Sequence, residues 1–161
     1  CVAYPVYPYE EIEMNIFVLD KDPVVAAKLH LDKHVVKMPL ETAQMLSTIC
    51  GHPYRPTHKN HPCTIWARQS KANYHWLVEL GFALCKEYSL RYSKRHKCKD
   101  VIELLKHAPD FIPDGERTPF AQAMPDECKN EDAVLAYREY YRKHKKHIAV
   151  WTNRDVPEWM I

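Results

Sequence analysis

Glycine is nearly absent from this sequence. Only Gly51, Gly81 and Gly115 are present, too few and too scattered for a phosphate-cradling loop, so Walker and dinucleotide-binding fingerprints are excluded. Long apolar runs are missing as well. The best of them, Leu77 to Cys85, is broken by Glu79 and falls far short of the ~20 residues that a membrane span needs. Residues 1–13 are aromatic, Pro-containing and acidic, which is not the basic start and apolar stretch of a signal peptide, and points to the cytoplasm. Paired metal-site spacings are also lacking. The six cysteines, Cys1, Cys50, Cys63, Cys85, Cys98 and Cys128, are irregularly spaced, and a helical chain of this size needs no staples, so they read as reduced thiols. His30 and His34, and again His144 and His147, stand at helical spacing, but neither pair has a third ligand at a recognisable distance. No metal and no cofactor is expected.

What is present is an all-α pattern: a compact single-domain helical bundle with one long central helix and a short extended N-terminal segment. Asn15 to Leu19 is a brief apolar run ended by Asp20, Asp22 and Pro23, and Asp22 with Pro23 then reads as a capped helix start. From Val24 the apolar positions Ala27, Leu31, Val35 and Met38 recur at three and four. Pro39 is expected to kink or split that helix near Val36, and Gly51 to stop it. The strongest periodicity runs from Thr64 to Lys94 and predicts the central helix. Asp100 caps a shorter helix over 101–107, residues 108–130 form an irregular connection, and a last helix runs over 131–150 with Val134, Tyr137, Tyr141, His144 and Ile148 inward. The tail, Trp151 to Trp159, is expected to pack back through its two tryptophans.

The first thirteen residues read as a leader or as upstream translation outside the fold, leaving 14–161 as the domain and Met14 as the start. Glu10 and Glu11 are encoded GAR-GAR, a purine run that can spell a ribosome-binding site just ahead of the Met14 codon, and this is the ground for expecting the start there. Without Glu10, Glu11 and Glu13 the acidic residues fall from 21 to 18 against 23 Lys and Arg, and the net charge rises from +2 to +5.

Two basic clusters stand out, Arg91, Lys94, Arg95, Lys97 and Lys99, and then Arg138, Arg142, Lys143, Lys145 and Lys146. Either alone describes a solvated helix face; together they suggest a polyanion. A more specific group is Asp32, Lys33, His34, Lys37, Glu41 and Gln44, polar residues at three- and four-residue spacing on helices with apolar faces, which suits either a cleft or an exposed salt-bridged stripe. A second polar set, Arg68, Ser70, Asn73 and Glu87, would face it from the central helix.

The order Leu31-Asp32, Lys33, Lys37, Glu41, Gln44, His61-Pro62, Trp66, Glu87, Tyr88 and Arg91 resembles the pyrimidine-dimer DNA glycosylase family, over residues 29–95. The resemblance implies a small helical domain that binds duplex DNA, cuts the glycosidic bond at damaged pyrimidines and nicks the abasic site. It also implies an N-terminal α-amine as nucleophile, forming a Schiff base beside a helical glutamate. That glutamate's position is matched by His34, and the nearest carboxylate on the same face is Glu41; the amine falls on Met14, Asn15 or Cys1. Thr118 to Pro125 and Trp151-Thr152-Asn153-Arg154 resemble uncharacterised phage and environmental proteins instead.

The leading expectation is therefore a DNA glycosylase and abasic-site lyase, with His34, Lys37 and Glu41 as catalytic residues. Lys33, His61, Arg68, Asn73, Arg91, Arg138, Arg142 and Lys143 are the expected nucleic-acid contacts. The alternatives are a non-enzymatic nucleic-acid-binding module of the same fold and a helical interaction protein without a nucleic-acid role.

Overall fold

A computed structural model describes residues 14–161; Cys1, the acidic pair Glu10 and Glu11 and the rest of the expected leader lie outside the described residues. Six α-helices follow one another: α1 Pro23–Leu29, α2 Asp32–Cys50, α3 Pro62–Gln69, α4 Lys71–Tyr92, α5 Lys99–Leu104 and α6 Ala133–His144. Three 3-10 turns, Asp126–Cys128, Lys146–Ile148 and Glu158–Met160, complete the list, with no strand among the described residues. The long helix α4 is central and packs against α1, α2, α3 and α5.

Two of the helix ends follow local chemistry directly. Asp22 accepts a hydrogen bond from the Val24 N–H with Pro23 in the first turn, and Gly51 ends α2 at φ 85°, a left-handed conformation that costs glycine little. Pro39 does not split α2, which runs through it as one helix; a proline removes only one backbone bond, and Pro39 is buried. The break falls earlier, at His30 and Leu31, because its free carbonyls find distant partners. Arg91 donates to the carbonyls of Lys28 at 3.1 Å and His30 at 2.7 Å, and the Trp151 indole donates to that of Leu29 at 2.8 Å. The expected 64–94 helix is likewise divided, at Ser70, whose hydroxyl accepts from the Asn73 N–H at 3.1 Å and starts α4 anew. The last helix stops at His144 rather than 150, and the chain turns so that the Val150 carbonyl accepts from the Asp32 N–H at 2.8 Å.

The segment Met14 to Leu19 forms no helix, yet it is wholly buried. Phe17 lies among the rings of His30, His34, Tyr137, Tyr140 and Tyr141. Each such apolar side chain, fully buried, is worth about 1.5–3 kcal/mol, so this short stretch is a core element that ties α2 to α6. Helices α2 and α4 approach closely at Gly81, where a β-carbon would stand 2.8 Å from Thr42 Cγ2 and 3.0 Å from Ile102 Cδ1.

The end of α4 carries a buried ion-pair network. Arg91 bonds Glu87 at 3.1 Å and Asp32 at 3.0 Å, and Arg154 of the tail bonds the same Glu87 at 2.7 and 3.0 Å. Burial alone would raise the Glu87 pKa, but the hydrogen bonds and charges of Arg154 and Arg91 hold it below the usual glutamate value. The five described cysteines are free thiols, and no described helix is long and apolar enough to cross a membrane.

Candidate active site

The N-terminal segment brings Asn15 to the middle of α2. Its backbone N–H donates to Glu41 Oε2 at 3.1 Å. Glu41 is 1% exposed, and Lys37 Nζ, one turn earlier on α2, stands 3.7 Å from its other oxygen. A buried carboxylate needs such partners, because an uncompensated charge away from water is costly.

The Asn15 side chain is held from three more directions. Its amide donates to the Ala123 carbonyl at 2.8 Å, and its Oδ1 accepts from the Tyr137 hydroxyl at 2.8 Å. Cys63 Sγ lies 3.7 Å from the same oxygen. The Tyr137 hydroxyl accepts in turn from the Ala123 N–H at 3.2 Å. Four parts of the chain, α2, α3, the 108–130 connection and α6, thus converge on one residue. Beside it lies a hollow of about 330 Å³ lined by Met14, His58, His61, Ala123, Met124, Pro125 and Tyr140. Two imidazoles and a phenol ring on its wall suit a flat aromatic guest. His61 Nδ1 accepts from the Cys63 N–H at 3.1 Å as the cap of α3, which leaves the ring proton on Nε2. A second hollow, about 390 Å³ over Asn153, Arg154 and Asp155, brings none of the expected catalytic residues together.

The other expected residues are distributed as follows. His34 is stacked on Phe17, ring centres 4.2 Å apart, with Nδ1 2.8 Å from the Tyr141 hydroxyl. Burial, with the positive neighbours His30, Lys145 and Lys37 adding to it, pushes its pKa well below the ordinary histidine value. Thus Lys37 and Glu41 meet directly, and His34 reaches the Asn15 segment only through Phe17. Lys33 is exposed on the first turn of α2. Arg68 donates to the Lys59 carbonyl at 2.5 Å. Asn73 is buried and clamps the 108–130 connection, donating to Thr118 Oγ1 at 2.7 Å and accepting from the Thr118 N–H at 2.9 Å. Arg91, whose side chain is 0% exposed, is enclosed in the ion-pair network. On α6, Arg138 binds the Leu19 carbonyl at 3.0 Å, Arg142 pairs with Glu139 and the Trp159 carbonyl, and Lys143 lies 3.5 Å from Glu139; Arg142 and Lys143 keep 35% and 46% of their side chains in solvent.

Cys63, Tyr137 and the backbone of Ala121 to Ala123 did not stand out as site residues in the sequence. Tyr137 reads there only as an inward residue of an amphipathic helix, and a carbonyl that accepts from Asn15 leaves no mark in the amino-acid pattern.

Fold and site together define a helical domain whose N-terminal segment is anchored on a buried glutamate and lines a hollow through Met14. The model of the pyrimidine dimer DNA glycosylase family matches residues 14–100, more than half of the chain, and the chain belongs to that family. No curated protein and no solved structure matches it.

Proposed function

We propose that this protein is a DNA glycosylase and abasic-site lyase acting on damaged or modified pyrimidines in duplex DNA, in the cytoplasm of a bacterial or phage-infected cell. The observation that carries the reading is the Asn15 N–H on Glu41 at 3.1 Å, at the head of the family-matched region. An α-amine at this point, on Met14 or one residue on at Asn15, is the nucleophile. It attacks the sugar carbon that bears the base, and the base leaves with the glycosidic electron pair while the amine loses a proton; the ring oxygen then takes up a proton and leaves the same carbon as the nitrogen lone pair closes the C=N bond of the Schiff base. Glu41 holds the protonated amine and offsets the positive charge that develops on the sugar. Lys37 holds the carboxylate in place, and His34 positions the segment through Phe17. His61 and Tyr140 on the hollow's wall take the everted base. Lys33, Arg68, Arg138, Arg142 and Lys143 hold phosphates; Arg91 is left to the fold, since its guanidinium has no open side.

Borohydride trapping on an abasic-site duplex tests this with chains that begin at Cys1, Met14 and Asn15. Covalent trapping of the Met14 or Asn15 form, and none of the Cys1 form, supports the reading. A Cys1 form that traps as well as the shorter two would move the nucleophile elsewhere. DNA binding without trapping in all three would favour the non-enzymatic module.

A further inference from the structure

His144 and His147 lack a third metal ligand at helical spacing, and the fold supplies one from another direction. The 3-10 turn Asp126–Cys128 docks on α6. It brings one donor atom each from Glu127, Cys128 and His144 within 4.8 Å of one another; His147 takes no part. We propose that these three side chains form a binding site for a divalent cation of the zinc type, separate from the glutamate site on α2.

The donor set selects the ion. A thiolate, an imidazole and a carboxylate together suit a borderline-soft cation, whereas magnesium and calcium prefer oxygen alone and iron–sulfur clusters need several cysteines. Zinc bonds of about 2.0–2.3 Å in a tetrahedron place donors about 3.3–3.8 Å apart. His144 Nε2 already stands 3.0 Å from Glu127 Oε1. The remaining adjustment is a closure of roughly 1 Å or less, which rotation of the partly exposed Glu127 and His144 side chains can make. Cys128 is 2% exposed and forms the inner ligand, while the half-exposed His144 and Glu127 leave an entry path and a fourth position for water. On binding, the thiol proton passes to solvent.

The place of the site gives it a role. The turn continues directly from Ala123, Met124 and Pro125, which wall the hollow, and Ala123 also accepts from the Asn15 amide. A cation that pins Cys128 to His144 therefore fixes that wall against α6. It would act as a clip, not as a reagent.

The test uses the whole chain, stripped with a chelator and titrated with cobalt(II). One equivalent should bind with tetrahedral ligand-field bands and a thiolate-to-cobalt charge-transfer band, zinc should displace it, and zinc should raise the melting temperature. Glu127→Gln and His144→Ala alter exposed groups and should fold normally. Each should weaken cobalt binding by about tenfold or more, since even outer partners of metal ligands are worth that much. Cys128→Ser should abolish the charge-transfer band. No such band in the wild-type chain, or a band unchanged in His144→Ala or persisting in Cys128→Ser, would overturn the proposal. None of these readings needs DNA, so they stand apart from the glycosylase reading.

Discussion

The backbone N–H of Asn15 and the carboxylate of Glu41, separated by 26 positions in the chain, meet at 3.1 Å in the core. The contact ties the Met14 to Leu19 segment to α2, and it puts a carboxylate against the peptide from which the proposed nucleophile is made. Replacing Glu41 with Gln keeps the shape and an acceptor oxygen for Asn15 but removes the charge. Trapping and strand cleavage should fall by about 100-fold or more, as when one preorganised electrostatic partner is removed, while affinity for an abasic-site duplex stays within a few-fold. Single-turnover cleavage beside a binding isotherm checks this. A cleavage rate unchanged in Glu41→Gln would detach the chemistry from the carboxylate.

Binding to duplex DNA should weaken steeply with salt, because each phosphate neutralised by Lys or Arg releases a counterion. Reversing Lys143 to Glu should lower affinity at low salt and reduce the slope of log K against log salt by about one, with no change in sequence preference. Arg142→Glu should do the same, and somewhat more, since it also strands Glu139, its present partner. Titrations at several salt concentrations read both quantities.

Much of this architecture was legible in the residues, and the parts that were not have a common cause. Asp22-Pro23 and Gly51 mark helix ends through their own side chain or backbone, and both ends lie where those residues put them. The break at His30 is stabilised by Arg91 and Trp151, residues far away in the chain, so the local pattern pointed to Pro39 instead. Ser70 is an intermediate case: its cap on Asn73 is local, but apolar periodicity runs through it on both sides. The same division holds at the site. Lys37 and Glu41 at i and i+4 announce their pairing, whereas Asn15 is gripped by a thiol, a phenol and a carbonyl from three other parts of the fold, which no spacing rule connects.

Two buried imidazoles make the fold acid-sensitive. Burial lowers the His30 pKa to about 4 and that of His34 well below its ordinary value, against about 6.5 in the unfolded chain. The unfolded state therefore takes up these protons first. Stability is complete above pH ~6.5 and falls as the pH drops from there towards 4, by about 3 kcal/mol from His30 alone. Urea midpoints measured between pH 7.5 and 4.5 should decline across that range. His30→Gln should flatten the decline even if it lowers the midpoint at neutral pH.

Gly81 sets the spacing on which the site rests, because it lets α4 approach α2 beside Thr42, the residue after Glu41. Gly81→Ala adds a methyl group 2.8 Å from Thr42 Cγ2, and overpacking of this kind costs about 1–3 kcal/mol. The gain in helix propensity, at most about 1 kcal/mol, offsets only part of that. Thermal melts should show a lower midpoint, and Gly81→Ala combined with Thr42→Ser, which removes the opposing methyl, should recover part of it.

Arg91 provides the sharpest contrast between a charge that serves the fold and one that serves DNA. Its guanidinium, fully enclosed, bonds Glu87, Asp32 and the carbonyls of Lys28 and His30. Arg91→Met keeps most of the stem but leaves two carbonyls and part of two carboxylates without their partner in a buried place. Breaking a buried ion pair in this way costs about 3–5 kcal/mol. Arg91→Lys should restore little, since one ammonium cannot span the fork that reaches both carboxylates and both carbonyls. The folded fraction of either variant should bind DNA with the wild-type salt slope, unlike Lys143→Glu. A variant that melts like the wild type but has lost a unit of that slope would return Arg91 to the phosphate-binding surface, and would require the end of α4 to open when DNA binds.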